Sequence, residues 1–148
     1  AWTWPVGRIS TKAQRLLKAT KDALFLAIEQ VRAGNRLSEV SRAVQNYAES
    51  NGYTVVRKFA GHGLGRDLHE EPQVPNFDDG KKSPLLRAGM TIAIEPMVNI
   101  GKSATRTLKD KWTIVTLDGS RSAHFEHTVA VTESGPRVLT QSASLIPR

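Results

Sequence analysis

The chain has 148 residues, 39% of them hydrophobic and 24% charged, a composition typical of one globular domain with its own hydrophobic core. It contains no cysteine, which excludes disulfides, thiolate zinc sites and a cysteine nucleophile, so any metal must be bound by oxygen or imidazole nitrogen. The net charge of +7 arises from basic residues spread along the sequence without interleaved aromatic side chains, which disfavours a specific nucleic-acid partner. No apolar run approaches the roughly 20 residues that cross a bilayer, so we expect no membrane association.

Two amphipathic segments in the first part of the chain predict helices. Ser10 is a candidate N-cap for the first helix, whose apolar residues recur on one face until Gly34 supplies a stop. The second helix is predicted to begin at Ser38 and to end near Asn51-Gly52. Both apolar stripes are interpreted as core, and residues 1–9 before them as the end of a strand.

Segments rich in β-branched and aromatic residues predict strands in the rest of the chain. Residues 53–59 are predicted to form a strand that leads into a glycine-rich loop at 61–65. The proline, asparagine and glycine residues between positions 72 and 84 predict a surface loop, after which a strand resumes over 91–98.

The last part of the chain is predicted to be a hairpin followed by a tail. Asp118-Gly119 is a turn signal between two strand-like segments at 112–117 and 123–131. Residues 141–148 are predicted to form a surface tail.

Three side chains that could bind a metal ion, those of His62, Glu95 and Glu126, lie in distinctive local sequences. Glu95 and Glu126 fall in the middle of predicted strands, where a carboxylate is costly to bury unless a cation, hydrogen bonds or a proton compensates it. Taken alone, a mid-strand glutamate is more often exposed or ion-paired, and a lone histidine such as His62 is usually structural. Together, two carboxylates and an imidazole favour a bound cation.

The motifs around these residues occur in an order and spacing that resemble those of the type I methionine aminopeptidases. The resemblance covers nearly the whole chain, from Trp2 to about Leu139. The motifs that carry it are Gly61-His62-Gly63-Leu64-Gly65, His69-Glu70-Glu71-Pro72-Gln73, Ile94-Glu95-Pro96-Met97-Val98 and Phe125-Glu126-His127-Thr128.

This resemblance implies hydrolysis of a peptide bond by water that two divalent ions, of Co, Mn, Fe or Zn, activate together. His62 would bind one ion, Glu126 would bridge both, and Glu95 would be a ligand that also accepts the proton of the attacking water. His69 would donate a hydrogen bond to the substrate carbonyl as it becomes negative. The resemblance also implies that Trp112 and Leu68 bind the substrate, although the position of Leu68 is commonly Phe in the family. His124 stands where Gln is frequent in the family, and it would orient the carboxylate of Glu126 without binding the metal itself.

The resemblance also implies the α/β pita-bread fold, an antiparallel sheet with helices packed on one face. Residues 1–148 would be a single catalytic domain of the peptidase M24 type, incomplete in its N-terminal half. Two further aspartate ligands would precede Ala1, so the chain alone is expected to be inactive without a complementary N-terminal polypeptide. The expected substrate is the initiator methionine of new chains in the cytoplasm, with a transient association with the ribosome.

Two other readings remain open. A prolidase or Xaa-Pro aminopeptidase of the same fold also uses a Gly-His-Gly motif and a Glu-Pro pair, but Met97 and the run from Glu70 to Gln73 favour the methionine enzyme. A catalytically inactive binding protein or fragment on the same scaffold is the second. Such a protein would be expected to lose ligands, and all three ligand positions in this chain are retained.

Overall fold

The computed structural model describes residues 1–141, so the predicted tail lies outside the described residues apart from Gln141. The described part contains two helices and ten strands, and within it no helix is long and apolar enough to cross a membrane. In chain order the elements are α1 (Thr11–Glu29), α2 (Leu37–Ser50), β1 (Thr54–Val55), β2 (Ala60–Gly63), β3 (Glu70–Pro75), β4 (Thr91–Ile94), β5 (Met97–Asn99), β6 (Thr105–Thr107), β7 (Ile114–Thr116), β8 (Ser122–His124), β9 (His127–Thr132) and β10 (Gly135–Val138).

Both predicted helices are confirmed, with small changes at their ends. The Ser10 hydroxyl accepts a hydrogen bond from the Ala13 amide at 3.3 Å and so caps α1, which ends at Glu29 rather than at Gly34. The helix α2 begins at Leu37, one residue before the expected start. The helices pack against each other, and their apolar faces contact strands of both larger sheets.

Ten antiparallel strands are arranged in two sheets and a separate ribbon within residues 1–141. The larger sheet has the order β10-β9-β4-β2-β3, the smaller one β1-β5-β8, and β6 pairs only with β7. On β9, His127, Val129 and Val131 are buried, whereas the alternate residues are half-buried. This alternation leaves one face of the sheet for the core and the other for a site.

Two of the points where the chain passes between the two larger sheets lie next to each other. The strand β4 belongs to the larger sheet and β5 to the smaller one, with Glu95-Pro96 between them; β8 and β9 make the reverse change across Phe125-Glu126. The two crossings lie side by side, because Ile94 pairs with His127 and Met97 pairs with His124.

The crossings correct the prediction that both glutamates lie mid-strand. Pro96 has no amide hydrogen to donate, and the strand expected over 91–98 is interrupted there. Glu126 lies in the gap between β8 and β9, where its amide donates to the Ala1 carbonyl instead of to a sheet partner. Each carboxylate therefore projects from a point where regular strand pairing stops.

Three further sequence predictions are wrong in part. The strand expected over 53–59 shortens to β1, and the glycine-rich segment expected to be a loop contributes Gly61 to Gly63 to β2. The surface loop expected from Pro72 begins after Pro75, because β3 occupies the residues before it. The short β1 has its partner far along the chain, because Thr54 pairs with Asn99 of β5.

The predicted hairpin at Asp118-Gly119 is also wrong. The turn is present, but β7 pairs back with β6, and β8 pairs with β5. The Asp118 carboxylate accepts hydrogen bonds from the amides of Lys102 and Ser120, at 2.7 Å and 3.0 Å. These bonds, the Lys102 amide first, lower the pKa of Asp118 to about 2.

Replacing Asp118 with Asn should lower thermal stability near neutral pH, because the charged acceptor that joins two loops is lost. The pKa of Asp118 is lower in the folded than in the unfolded chain, so its contribution is present above the unfolded value and is lost as pH falls towards about 2. The difference in melting temperature between wild type and Asp118→Asn should therefore narrow between about pH 5 and about pH 3. A constant difference across that range would contradict this account.

Candidate metal and peptide-binding site

His62 is placed by a backbone irregularity in β2. The pairing of β2 with β3 shifts register between Gly61 and Gly63, and such a bulge redirects the side chain at its centre. A Cβ atom at Gly61 would collide with the Ala93 carbonyl of β4, and one at Gly63 with the Glu71 carbonyl of β3. The glycines therefore allow two neighbouring strands to approach β2 on either side of His62.

The hydrogen bonding of His62 leaves one ring nitrogen free. Its Nδ1 atom lies 2.9 Å from the Gly63 carbonyl oxygen, which can only accept, so Nδ1 carries the proton. In the neutral ring, Nε2 then has a free lone pair, and it lies 3.9 Å from Oε1 of Glu95. This is the tautomer that a metal-binding histidine needs.

The two glutamates and His124 form a cluster at the paired crossings. One donor atom from each of Glu95, His124 and Glu126 lies within 4.8 Å of the other two. The Glu126 Oε2 atom also accepts a hydrogen bond from the Ala1 amine at 2.9 Å. Two half-buried carboxylates this close repel each other, so a cation between them would be stabilising.

His124 contacts a different carboxylate from the one expected. Its Nε2 atom lies 3.2 Å from Oε2 of Glu95, whereas the sequence prediction paired His124 with Glu126. The direction of this contact does not suit a hydrogen bond, and Nε2 is shielded from solvent without a hydrogen-bond partner among residues 1–141. The rest of the ring is more open, with 37% of the side chain exposed.

These observations fit a divalent metal. The donors are imidazole nitrogen and carboxylate oxygen, a set that suits borderline ions, and one of them is a buried nitrogen with no hydrogen-bond partner in the described part of the chain. Glu95 and Glu126 also lie between strands, where regular pairing does not fix their backbone, so both carboxylates can face a shared ion.

A cavity of about 1010 Å³ opens beside the cluster. His69 lines it, and the His69 ring lies 4.2 Å from that of His62, centroid to centroid. Trp112 also lines it from the loop between β6 and β7, with 86% of its surface exposed. Leu68 is 70% exposed and does not line this cavity within the described residues.

Sequence reasoning missed part of the cavity wall. The ribbon of β6 and β7 contributes Thr105 and Ile114 to the lining, and β5 contributes Asn99. Asn99 Oδ1 and Thr105 Oγ1 are buried without hydrogen-bond partners in residues 1–141. Of these residues, only Asn99 lies close in sequence to a predicted ligand, because it directly follows the Glu95 motif.

Comparison with known proteins places these residues among metallopeptidases. Residues 1–133 match the model of metallopeptidase family M24. Methionine aminopeptidase 1 of Bacillus subtilis is 49% identical over 141 residues, which cover 95% of this chain and 57% of the relative. The chain thus spans little more than half the length of this curated relative.

Solved structures give the same result. A methionine aminopeptidase from Thermotoga maritima superposes with a TM-score of 0.92 at 45% identity, covering 95% of this chain and 57% of that one. A prolidase from Pyrococcus furiosus superposes with a TM-score of 0.70 at 24% identity, covering 93% of this chain and 35% of that one, and shows the shared fold alone. The expected pita-bread fold is confirmed, as is the resemblance to methionine aminopeptidases.

Replacing Gly61 with Ala should disturb the site without removing a ligand. The added Cβ would meet the Ala93 backbone, which cannot rotate away as a side chain would. We expect a loss of about 1–3 kcal/mol in the free energy of unfolding, measured with urea, together with weaker metal binding by the His62 strand. Unchanged stability and metal affinity would show that β2 has room to move.

Proposed function

Because the chain belongs to metallopeptidase family M24, we propose that the protein is a metal-dependent aminopeptidase that removes methionine from the N-terminus of peptides. The observation that carries the proposal is that Glu95 lies 3.9 Å from His62 through one oxygen and forms a cluster with His124 and Glu126, beside a cavity that His69 and Glu95 line. The similarity to methionine aminopeptidases exceeds that to the prolidase in both identity and superposition.

In this proposal His62, Glu95 and Glu126 would hold the two divalent ions that the resemblance implies, with Glu126 as the ligand common to both. The sequence resemblance supplies the number of ions, and the mixed nitrogen and oxygen donors suit Co, Mn, Fe or Zn. When bound, such ions lower the pKa of water and polarise the substrate carbonyl. The His62 tautomer supports its part, because Nε2 is the nitrogen left free.

The remaining residues handle the proton and the peptide. Glu95 would accept the proton of the attacking water. Its two carboxylate oxygens face different neighbours, Oε1 towards His62 and Oε2 towards His124. His69, exposed at the cavity and next to His62, donates a hydrogen bond to the carbonyl oxygen. Trp112 supplies apolar surface for the methionine side chain, and Leu68 contributes at the outer edge of the site.

The substrate and partners follow from this activity. We propose the initiator methionine of new chains as substrate, in the cytoplasm, with transient ribosome association. Residues 1–148 would form one catalytic domain that acts with a complementary segment carrying two aspartate ligands. Three ligand side chains supply fewer donor atoms than two divalent ions need, which supports that part of the proposal.

Replacing Glu126 with Ala should abolish tight metal binding, because the carboxylate shared by both ions is lost. The complete protein encoded by the gene should be loaded, dialysed and measured for bound metal by elemental analysis. Glu133→Ala is a matched control, since Glu133 is exposed on the same segment beyond β9. Full metal occupancy in Glu126→Ala would overturn the ligand assignment.

Replacing His69 with Ala should lower turnover while metal stays bound. Loss of one donor to a developing oxyanion typically costs about 100- to 1,000-fold in kcat. Release of methionine from a short peptide measures turnover, and elemental analysis of the same sample measures metal. If metal content falls together with activity, His69 acts on the metal cluster instead of the substrate.

A further inference from the structure

We propose that His124 binds a metal ion directly through Nε2, together with Oε2 of Glu95 and the carboxylate of Glu126. This inference rests on the proposed function, because it adds a ligand to the same metal centre. It differs from the supporting role expected for His124 from the sequence, in which the ring would only orient Glu126.

The first observation is the state of the His124 ring. The Nε2 atom is shielded from solvent and has no hydrogen-bond partner within residues 1–141. Leaving a buried polar atom without a partner is costly, so such atoms in folded proteins usually have one that is not yet accounted for. A cation would satisfy Nε2 by accepting its lone pair.

The second observation is the distance between the donors. Metal bonds to nitrogen and oxygen are about 2.1 Å long, so two neighbouring ligands on one ion lie about 3.0 Å to 3.4 Å apart. His124 Nε2 and Glu95 Oε2 are separated by 3.2 Å, with a direction that does not suit a hydrogen bond. A donor atom of Glu126 lies within 4.8 Å of one donor atom of each of the other two residues, which a third ligand of the same ion allows.

The third observation is the rigidity of the His124 backbone. The Thr3 hydroxyl accepts a hydrogen bond from the His124 amide at 2.9 Å and donates one to the His124 carbonyl at 2.8 Å. Met97 pairs with His124 across β5 and β8. The backbone is therefore held on both edges, and only the side-chain torsions need adjust to meet an ion.

The arrangement of Glu95 explains how a second imidazole can take part. Its Oε1 atom faces His62 at 3.9 Å, and its Oε2 atom faces His124 at 3.2 Å. Each imidazole thus approaches a different oxygen of one carboxylate. A centre with two imidazoles favours borderline ions such as Zn, Co and Fe over Mn, which prefers oxygen donors.

The test is X-ray absorption spectroscopy of the complete protein loaded with zinc, because outer-shell scattering counts imidazole ligands. We expect wild type to show imidazole from both His62 and His124, and His124→Gln to show about half as much. The affinity of His124→Gln for zinc, measured by competition with a chelator, should be at least about 10-fold weaker. Glu133→Ala, at an exposed position just after β9 and outside the cluster, is the control and should leave both measurements unchanged.

The outcomes separate this inference from the proposed function. If wild type and His124→Gln show the same imidazole scattering and Glu126→Ala still loses metal, His124 is not a ligand, although the metal centre stands. If wild type binds no zinc, the proposed function fails together with this inference. A loss of imidazole scattering in His124→Gln with near-normal circular dichroism would establish the ligand, because the variant remains folded.

Discussion

The site depends on two segments of chain that cross from one sheet to the other side by side. Both crossings remove a short stretch of backbone from regular pairing, and the pairs Ile94 with His127 and Met97 with His124 hold them in register. Pro96 enforces the first crossing, because it cannot donate to a ladder. The pairs on both sides of the crossings share one antiparallel register, which sets Glu95 opposite Glu126 and brings the two carboxylates close together.

This geometry favours function over stability. Two carboxylates and an imidazole gather where only part of their charge is solvated, and folding brings like charges together. The hydrophobic core, in which α1 and α2 pack against strands of both sheets, offsets this unfavourable electrostatic free energy. A cation in this cluster would relieve the repulsion, and its binding is expected to stabilise the fold by an amount that grows with the logarithm of the ion concentration above the dissociation constant.

The local features of this fold could be predicted from the sequence, and the pairings between distant strands could not. Ser10 and the two helical stripes carry their signals within a few residues, and both predicted helices are confirmed. The partner of β7, by contrast, is β6, and the Asp118 carboxylate after β7 accepts a hydrogen bond from the Lys102 amide sixteen residues earlier. For the same reason the sequence linked His124 only to Glu126, two residues away, while the fold also brings it to Glu95.

The ribbon of β6 and β7 belongs to neither larger sheet, yet it carries Trp112 and much of the cavity wall. If the proposed function holds, the surface proposed for the substrate side chain is carried by strands that pair separately from those beside Glu95 and Glu126. Substitutions in the ribbon would then be expected to change which side chain is accepted more than they change metal binding.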